Sequence, residues 1–316
     1  MDTALEIQLK QVFDAVFFCS AEEYVIAGQR YPVSGLGGQL YGVCYSRPFR
    51  VPLDLSFGEA DPSDTLISEL NSANATRERW DYGWKITQVL EDGSLYAMKE
   101  AQSRMLRPGE YMLQDMAAAA QPGAWIRAFL SKEDILSQLG FYIAQPEIAP
   151  SFEDFQTLLR LYWNLEPEGA PKLLGRITDR FNALRVPFQF KTLRYRSQYT
   201  RADSAVLFVG WRYAGIALRL AFEVYADVNQ HLKPFTPLFA KQLAPGLGLA
   251  EDPANGQSFG LSRCNLLAQA MVNAYLKQQQ SAEARLSELR ALFDQAGLSL
   301  DNPHLSLSSI DHYDRP

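Results

Sequence analysis

The chain has 316 residues, with 36 Asp and Glu against 30 Lys and Arg, a formal net charge of −6. That length can bury a full core in one large or two ordinary domains without staples, and the acidic balance argues against nucleic acid or an anionic membrane as the partner. Three widely spaced cysteines, Cys19, Cys44 and Cys264, form neither a CxxC pair nor a disulfide framework, so a reducing cytoplasm is the expected setting.

The N-terminus predicts an amphipathic helix, with Leu5, Leu9, Val12, Phe13 and Val16 on one face, rather than a signal peptide. A strand follows at 24–33, and then Gly35-Leu36-Gly37-Gly38, which lacks the Lys-Ser/Thr of a P-loop and is expected to be a plain loop. Residues 46–64 carry Pro48, Pro52, Gly58 and Pro62 and predict irregular chain, with a short helix over 64–70. From 80 to 112 the pattern is β, with a hairpin turn at Glu91-Asp92-Gly93 and a second turn at Arg107-Pro108-Gly109-Glu110. Further strands are expected at 124–130 and 141–144, around a helix at 132–139. Pro146 and Pro150 then punctuate the chain, so that 1–150 is expected to be a strand-rich N-terminal domain and 151–316 a second domain.

Ser151 and Asp154 make an approximate capping box for a helix over 152–163, with Phe152, Phe155, Leu158, Leu159 and Tyr162 on one face. Pro171 opens the next helix. Two strands, from Val186 and over 205–211, are spaced to pair antiparallel. A helix over 213–231, a glycine-rich loop at 243–264, helices at 262–279 and 282–296, and a tail complete the order. The expected fold class is α+β, mostly antiparallel sheets with packed helices.

Two stretches carry candidate chemistry. Val186–Asp203 starts as a buried strand and then places Lys191, Arg194, Arg196 and Arg201 within eleven residues that contain no acid. Two readings stay open: an anion site, or a solvated strand edge whose cations block unwanted pairing. The second stretch, 243–264, combines Gly256–Gly260, Ser258 and the start of a helix with Arg263. It suits an anion, or it is a long loop in which Arg263 pairs with Glu251 or Asp252. The histidines, His231, His304 and His312, form no catalytic or zinc arrangement, and no cofactor or metal motif is present.

The motifs YWNLEPEGAP (162–171), VPFQFK (186–191), YTRADSAVLF (199–208) and LAPGLGLAEDPANGQSFGLSRCNLLAQA (243–270) resemble the HopA family. That family is named for type III effectors of plant-pathogenic bacteria and includes proteins encoded beside enzymes that modify peptides. The resemblance covers about 150–297 and implies a HopA-like C-terminal half. It implies two functions. HopA-like partners in class V lanthipeptide and thioamitide pathways are phosphoserine/phosphothreonine lyases, acting on a precursor peptide phosphorylated by a separate kinase-like enzyme. Effector members bind plant immune regulators, and the alternative for this chain is a noncatalytic module for a phosphorylated or acidic protein.

β-Elimination needs a base for the Cα proton and cations for departing phosphate. On that chemistry Lys191 is the base candidate and Tyr199 the reserve acid or base. Asp203 would orient Arg201, and Glu251 would orient Lys191. Arg194, Arg201, Ser258 and Arg263 would bind phosphate. The edges of the N-terminal strands are expected to accept a peptide strand.

Overall fold

The computed structural model describes residues 3–50, 58–100, 102–115 and 117–313. Helix α1 (Thr3–Ala15) leads into a meander of β1 (Val16–Phe18), β2 (Glu23–Ile26) and β3 (Gln29–Pro32). Helix α2 (Leu36–Leu40) runs straight on into a π-helical turn at Tyr41–Tyr45, and α3 (Leu66–Ala73) follows. Strands β4 (Arg79–Val89), β5 (Leu95–Lys99), β6 (Gln102–Leu106), β7 (Tyr111–Leu113) and β8 (Trp125–Leu130) form a five-stranded sheet in the order β6-β5-β4-β8-β7. The main sheet is built from β9 (Glu133–Asp134), β10 (Phe141–Ala144), β11 (Leu158–Trp163), β12 (Gln189–Leu193), β13 (Ala205–Gly210), β14 (Lys241–Ala244) and β15 (Leu247–Glu251). Its order is β14-β15-β11-β13-β12-β10-β9, antiparallel at every pairing. Interspersed are α4 (Phe152–Gln156), α5 (Ala170–Ala183), α6 (Ala214–Val228), α7 (Phe259–Leu276) and α8 (Ala282–Gln295). The class is α+β with antiparallel sheets, as the pattern predicts.

The main sheet is buried on both faces. One face sends Leu159, Leu161, Trp163, Phe190 and Leu207 against α5 and α6. Helix α5 meets it with Leu173, Leu174, Ile177 and Phe181, each fully buried and each contributing about 1.5–3 kcal/mol. The other face sends Tyr162, Val206, Phe208 and Ala250 against Phe259, Leu267 and Met271 of α7, with α1, α2, the π-helical turn and α8 in the same core. The five-stranded sheet has a smaller core of its own around Trp84, Ile86, Leu95 and Ile126. Gly93 supplies the positive φ of its β4–β5 turn, as Asp-Gly predicts. The sheets do not divide at residue 150: β9 and β10 belong to the main sheet with β11–β15, and α1 packs on α8.

Four expectations about local structure are corrected. The helix over 152–163 ends at Gln156, although its capping box is present, and 158–163 is the strand between β13 and β15. In the run LLRLYW nearly every residue is apolar, so a helical and a doubly buried strand pattern look alike. The glycine-rich stretch 243–264 is mostly ordered: Pro245 and Gly246 turn a β14–β15 hairpin, and α7 starts at Phe259. The loop expected at 35–38 is the start of α2, and the helix expected over 132–139 is short strand and bends. The middle of the irregular segment expected over 46–64, residues 51–57, lies outside the described residues.

Candidate functional site

Strand alternation places Arg160 and Tyr162 of β11, Val206 and Phe208 of β13, and Lys191 of β12 on one face of the main sheet. The register sets Arg160 opposite Phe208, and Lys191 opposite Val206. Lys191 Nζ lies 5.4 Å from the centre of the Phe208 ring and 4.7 Å from that of Phe141. Arg160 lies 5.1 Å from the same Phe208 ring. Arg160 is held by Asp252, whose Oδ2 accepts from its Nε at 2.8 Å and from its Nη2.

Past β12 the chain turns back through a 3₁₀ turn and brings Arg201 and Asp203 to the same region. Arg201 Nε donates to Asp203 Oδ1 at 2.8 Å and Nη2 to Oδ2 at 2.7 Å, a bidentate fork. Tyr41 completes the group from the π-helical turn. Its hydroxyl donates to Asp203 Oδ2 at 2.7 Å and accepts from Arg201 Nη2 at 3.0 Å. Tyr45 stacks on Tyr41 with ring centres 4.9 Å apart. π-Helical turns recur at functional sites because they re-aim side chains within a helix. Gly260 permits the approach: a Cβ there would fall inside contact distance of both tyrosine rings.

The electrostatics follow from this crowding. Burial removes water from the Lys191 ammonium and pushes it down to about 8, with Arg160 and Arg201 adding to the fall and Asp203 opposing it. Among the described residues Lys191 has no hydrogen-bond or ion-pair partner. Burial alone would raise Asp203, but Arg201, Tyr41 and Lys191 hold it below the usual carboxylate range. Burial, and then Asp203, raise the Tyr41 phenol well above its ordinary value. Arg160, Lys191 and Arg201 against Asp203 and Asp252 leave one positive charge. A pocket of about 190 Å³ opens beside Arg201, the one member of the group in its wall, with Gly140, Phe141, Leu193 and Thr200 around it.

Of the residues expected from sequence, Lys191, Arg201 and Asp203 are brought together, with Arg201 and Asp203 joined by the two hydrogen bonds of the fork. The others lie elsewhere. Tyr199 is buried on the opposite side of β12, where its hydroxyl donates to Leu193 O at 2.6 Å and shares a 2.9 Å bond with Thr192 Oγ1. Glu251 is also on the opposite face and does not orient Lys191. It accepts from Ser306 N, Ser309 Oγ and Tyr313 Oη and so anchors the C-terminal segment. Arg263 is 1% exposed and donates to Pro303 O at 2.9 Å and Leu305 O at 2.8 Å, stacked on Phe259 and Phe293. Burial lowers it to about 10. Its fork is filled by backbone carbonyls, which removes it from any phosphate. Arg194 donates to Ile135 O at 2.9 Å, and Ser258 caps α7 by accepting from Leu261 N. The sequence pointed to Asp252 as a partner for Arg263, whereas it pairs with Arg160, and it gave no role to Arg160, Tyr41 or Tyr45. For Arg160 a signal existed, a lone cation in an apolar run that a strand would bury. For Tyr41 and Tyr45 no local signal points to a partner 160 residues away.

Among the described residues, no group of three or more His, Cys, Asp or Glu is arranged to hold a metal ion, and no helix is long and apolar enough to cross a membrane.

Comparison with known proteins agrees with this architecture. None of the curated proteins matches the chain. Among solved structures, an effector protein from Pseudomonas syringae pv. tomato strain DC3000 superposes with a TM-score of 0.54 at 15% identity, over 96% of this chain and 97% of that one. An effector protein from Pseudomonas syringae pv. syringae strain 61 gives 0.50 at 18% identity, over 85% and 88%. At those identities the likeness is one of fold. The HopA1 effector protein family matches residues 133–305, from the first residue of β9 to beyond α8. That span is more than half of the chain, contains the whole main sheet with Arg160, Lys191, Arg201, Asp203 and Asp252, and makes this chain a member of the HopA1 effector protein family.

Proposed function

We propose that the chain is a phosphate-eliminating carbon–oxygen lyase acting on phosphoserine or phosphothreonine in a peptide. The observation that carries the reading is Lys191: half-buried, without a bonded partner among the described residues, and lowered to about 8 between two arginines. At neutral pH roughly a tenth of such a lysine is the free amine, enough to serve as a general base. In the proposed step Lys191 takes the Cα proton. The C–H electron pair becomes the Cα=Cβ bond, the Cβ–O bond breaks, and its electrons leave with inorganic phosphate. Arg201 and Arg160 would exchange part of their carboxylate bonding for phosphate oxygens as that charge develops. A separate kinase-like partner must supply the phosphorylated residue, and no cofactor enters the step.

A second reading has one observation in its favour. Both arginines are already held by carboxylates, which suits a site that binds a phosphorylated or acidic partner without turnover. Mass spectrometry of phosphopeptides incubated with the chain separates the two. Loss of phosphoric acid, leaving dehydroalanine or dehydrobutyrine, supports elimination. Bound peptide of unchanged mass supports binding alone, and recovered serine or threonine sinks both in favour of a phosphatase.

A further inference from the structure

The two larger sheets each end at one groove. β6 is the last strand of the five-stranded sheet, and β9 is the last strand of the main sheet. All of β6 and both residues of β9 line the same groove, a space of about 930 Å³. Edge strands present rows of backbone N–H and C=O groups that pair with any extended chain laid beside them. Here β6 and the two-residue β9 line one space, so a guest strand laid along β6 has β9 beside it. Apolar side chains stand ready at the same place: Met105, Leu136 and Phe155 line the groove and are 46%, 57% and 47% exposed.

The charge of the groove narrows the guest. Glu78, Glu110, Glu133 and Asp134 line it against Arg104 and Arg107, an excess of two carboxylates. Position ties the groove to the candidate site. Lys191 is in register with Ile143 of β10, and Ile143 with Asp134 of β9. Gln189, two residues before Lys191 on β12, is part of the groove wall. A guest strand outside β9 would lie three strand spacings from β12, about 14 Å, which four or five extended residues span.

We propose that this groove docks an extended, neutral-to-basic peptide segment as an added β-strand, and that the segment lies about four or five residues from the phosphorylated residue. The second half of the statement rests on the lyase reading; the first does not.

The test uses the full chain and an array of unphosphorylated ten-residue peptides of strand-forming sequence, ranging from acidic to basic. Neutral and basic members should bind with Kd of roughly 10–100 µM and acidic ones at least tenfold more weakly. Bound peptide should slow amide hydrogen exchange across 102–106 and 133–134. Glu78→Lys, at an exposed position, should weaken the basic members several-fold. Proline removes one edge N–H, so whichever of Ser103→Pro and Arg104→Pro keeps the wild-type Tm should lose at least tenfold in affinity. No binding tighter than about 1 mM, equal affinity for acidic and basic peptides, or protection confined to other strands overturns the proposal. None of these readouts needs turnover. A chain that binds peptide here but eliminates nothing keeps the docking groove and loses the lyase reading. Elimination with an unchanged KM in the folded proline variant does the reverse.

Discussion

Arg160 and Lys191 stand on strands separated by β13, and both lie against one ring, Phe208, at 5.1 and 5.4 Å. The ring face attracts each cation, while the cations repel each other in a place that water scarcely reaches. Arginine does not give up its proton in such a setting and lysine does. Removing the Arg160 charge with Arg160→Gln should therefore raise the pKa of Lys191, and removing the opposing carboxylate with Asp203→Asn should lower it further. The check is a pair of opposite movements in the lysine titration, followed by NMR of side-chain-labelled lysine, with the acidic limb of kcat/KM moving in step. Movement in the same direction for both variants would remove the electrostatic account of Lys191.

A lysine whose folded pKa is depressed also opposes folding. Lys191 sits at about 8 when folded against 10.5 when free. Between those values the unfolded chain holds more protons than the folded one, so stability rises as pH rises from about 8 to 10.5. Below about 8 both states are protonated and the full penalty is present. For a half-buried group that penalty is about 2–3 kcal/mol. Lys191→Met should therefore raise stability at pH 7, flatten its dependence between pH 8 and 10.5, and abolish elimination. Chemical denaturation at pH 7 and pH 10 measures the first two, and a variant less stable than the parent at pH 7 contradicts them.

The sequence made Lys191, Arg201 and Asp203 visible because they fall within thirteen residues, Lys191 on β12 and the other two in the short connection through which β12 pairs with β13. It also made the fold class visible, since the Asp-Gly and Pro-Gly turns and alternating runs are local signals. Arg160 was hidden by its neighbours: LLRLYW is apolar at nearly every position, so its period does not separate strand from helix. Tyr41 was hidden by distance, because nothing near residue 41 announces an aspartate at 203. Glu251 and Arg263 were misjudged for a related reason. Their charge was legible, but the carbonyls and hydroxyls of 303–313 that satisfy it come from a segment whose own sequence reads as a polar tail.

Those two residues make a prediction that phosphate binding would not. Arg263→Met leaves Pro303 O and Leu305 O without their donors, and Glu251→Gln weakens three bonds to Ser306, Ser309 and Tyr313. Each should lower stability by about 2–4 kcal/mol. Limited proteolysis should begin between 298 and 313 in both variants, with phosphopeptide affinity of the remaining folded protein unchanged. Affinity lost in Arg263→Met without faster proteolysis would return that arginine to the anion site.

Gly260 offers the sharpest separation of site from scaffold. It stands in the first turn of α7, where an added methyl would collide with the rings of Tyr45 and Tyr41. These are not free side-chain ends: Tyr45 is 1% exposed and stacked on Tyr41, so one ring cannot move without the other. Alanine suits a helix better than glycine by about 1 kcal/mol, which offsets part of the overpacking of about 1–3 kcal/mol. The Tm should thus fall only modestly. The Tyr41 hydroxyl, however, should lose its place between Arg201 and Asp203, freeing the arginine fork from one of its two partners. Gly260→Ala should lower kcat tenfold or more while the Tm falls by a few degrees, and Tyr41→Phe should reproduce the kinetic loss without the overpacking. If Gly260→Ala turns over normally, or if Tyr41→Phe does, the π-helical turn supports the core and takes no part in the site.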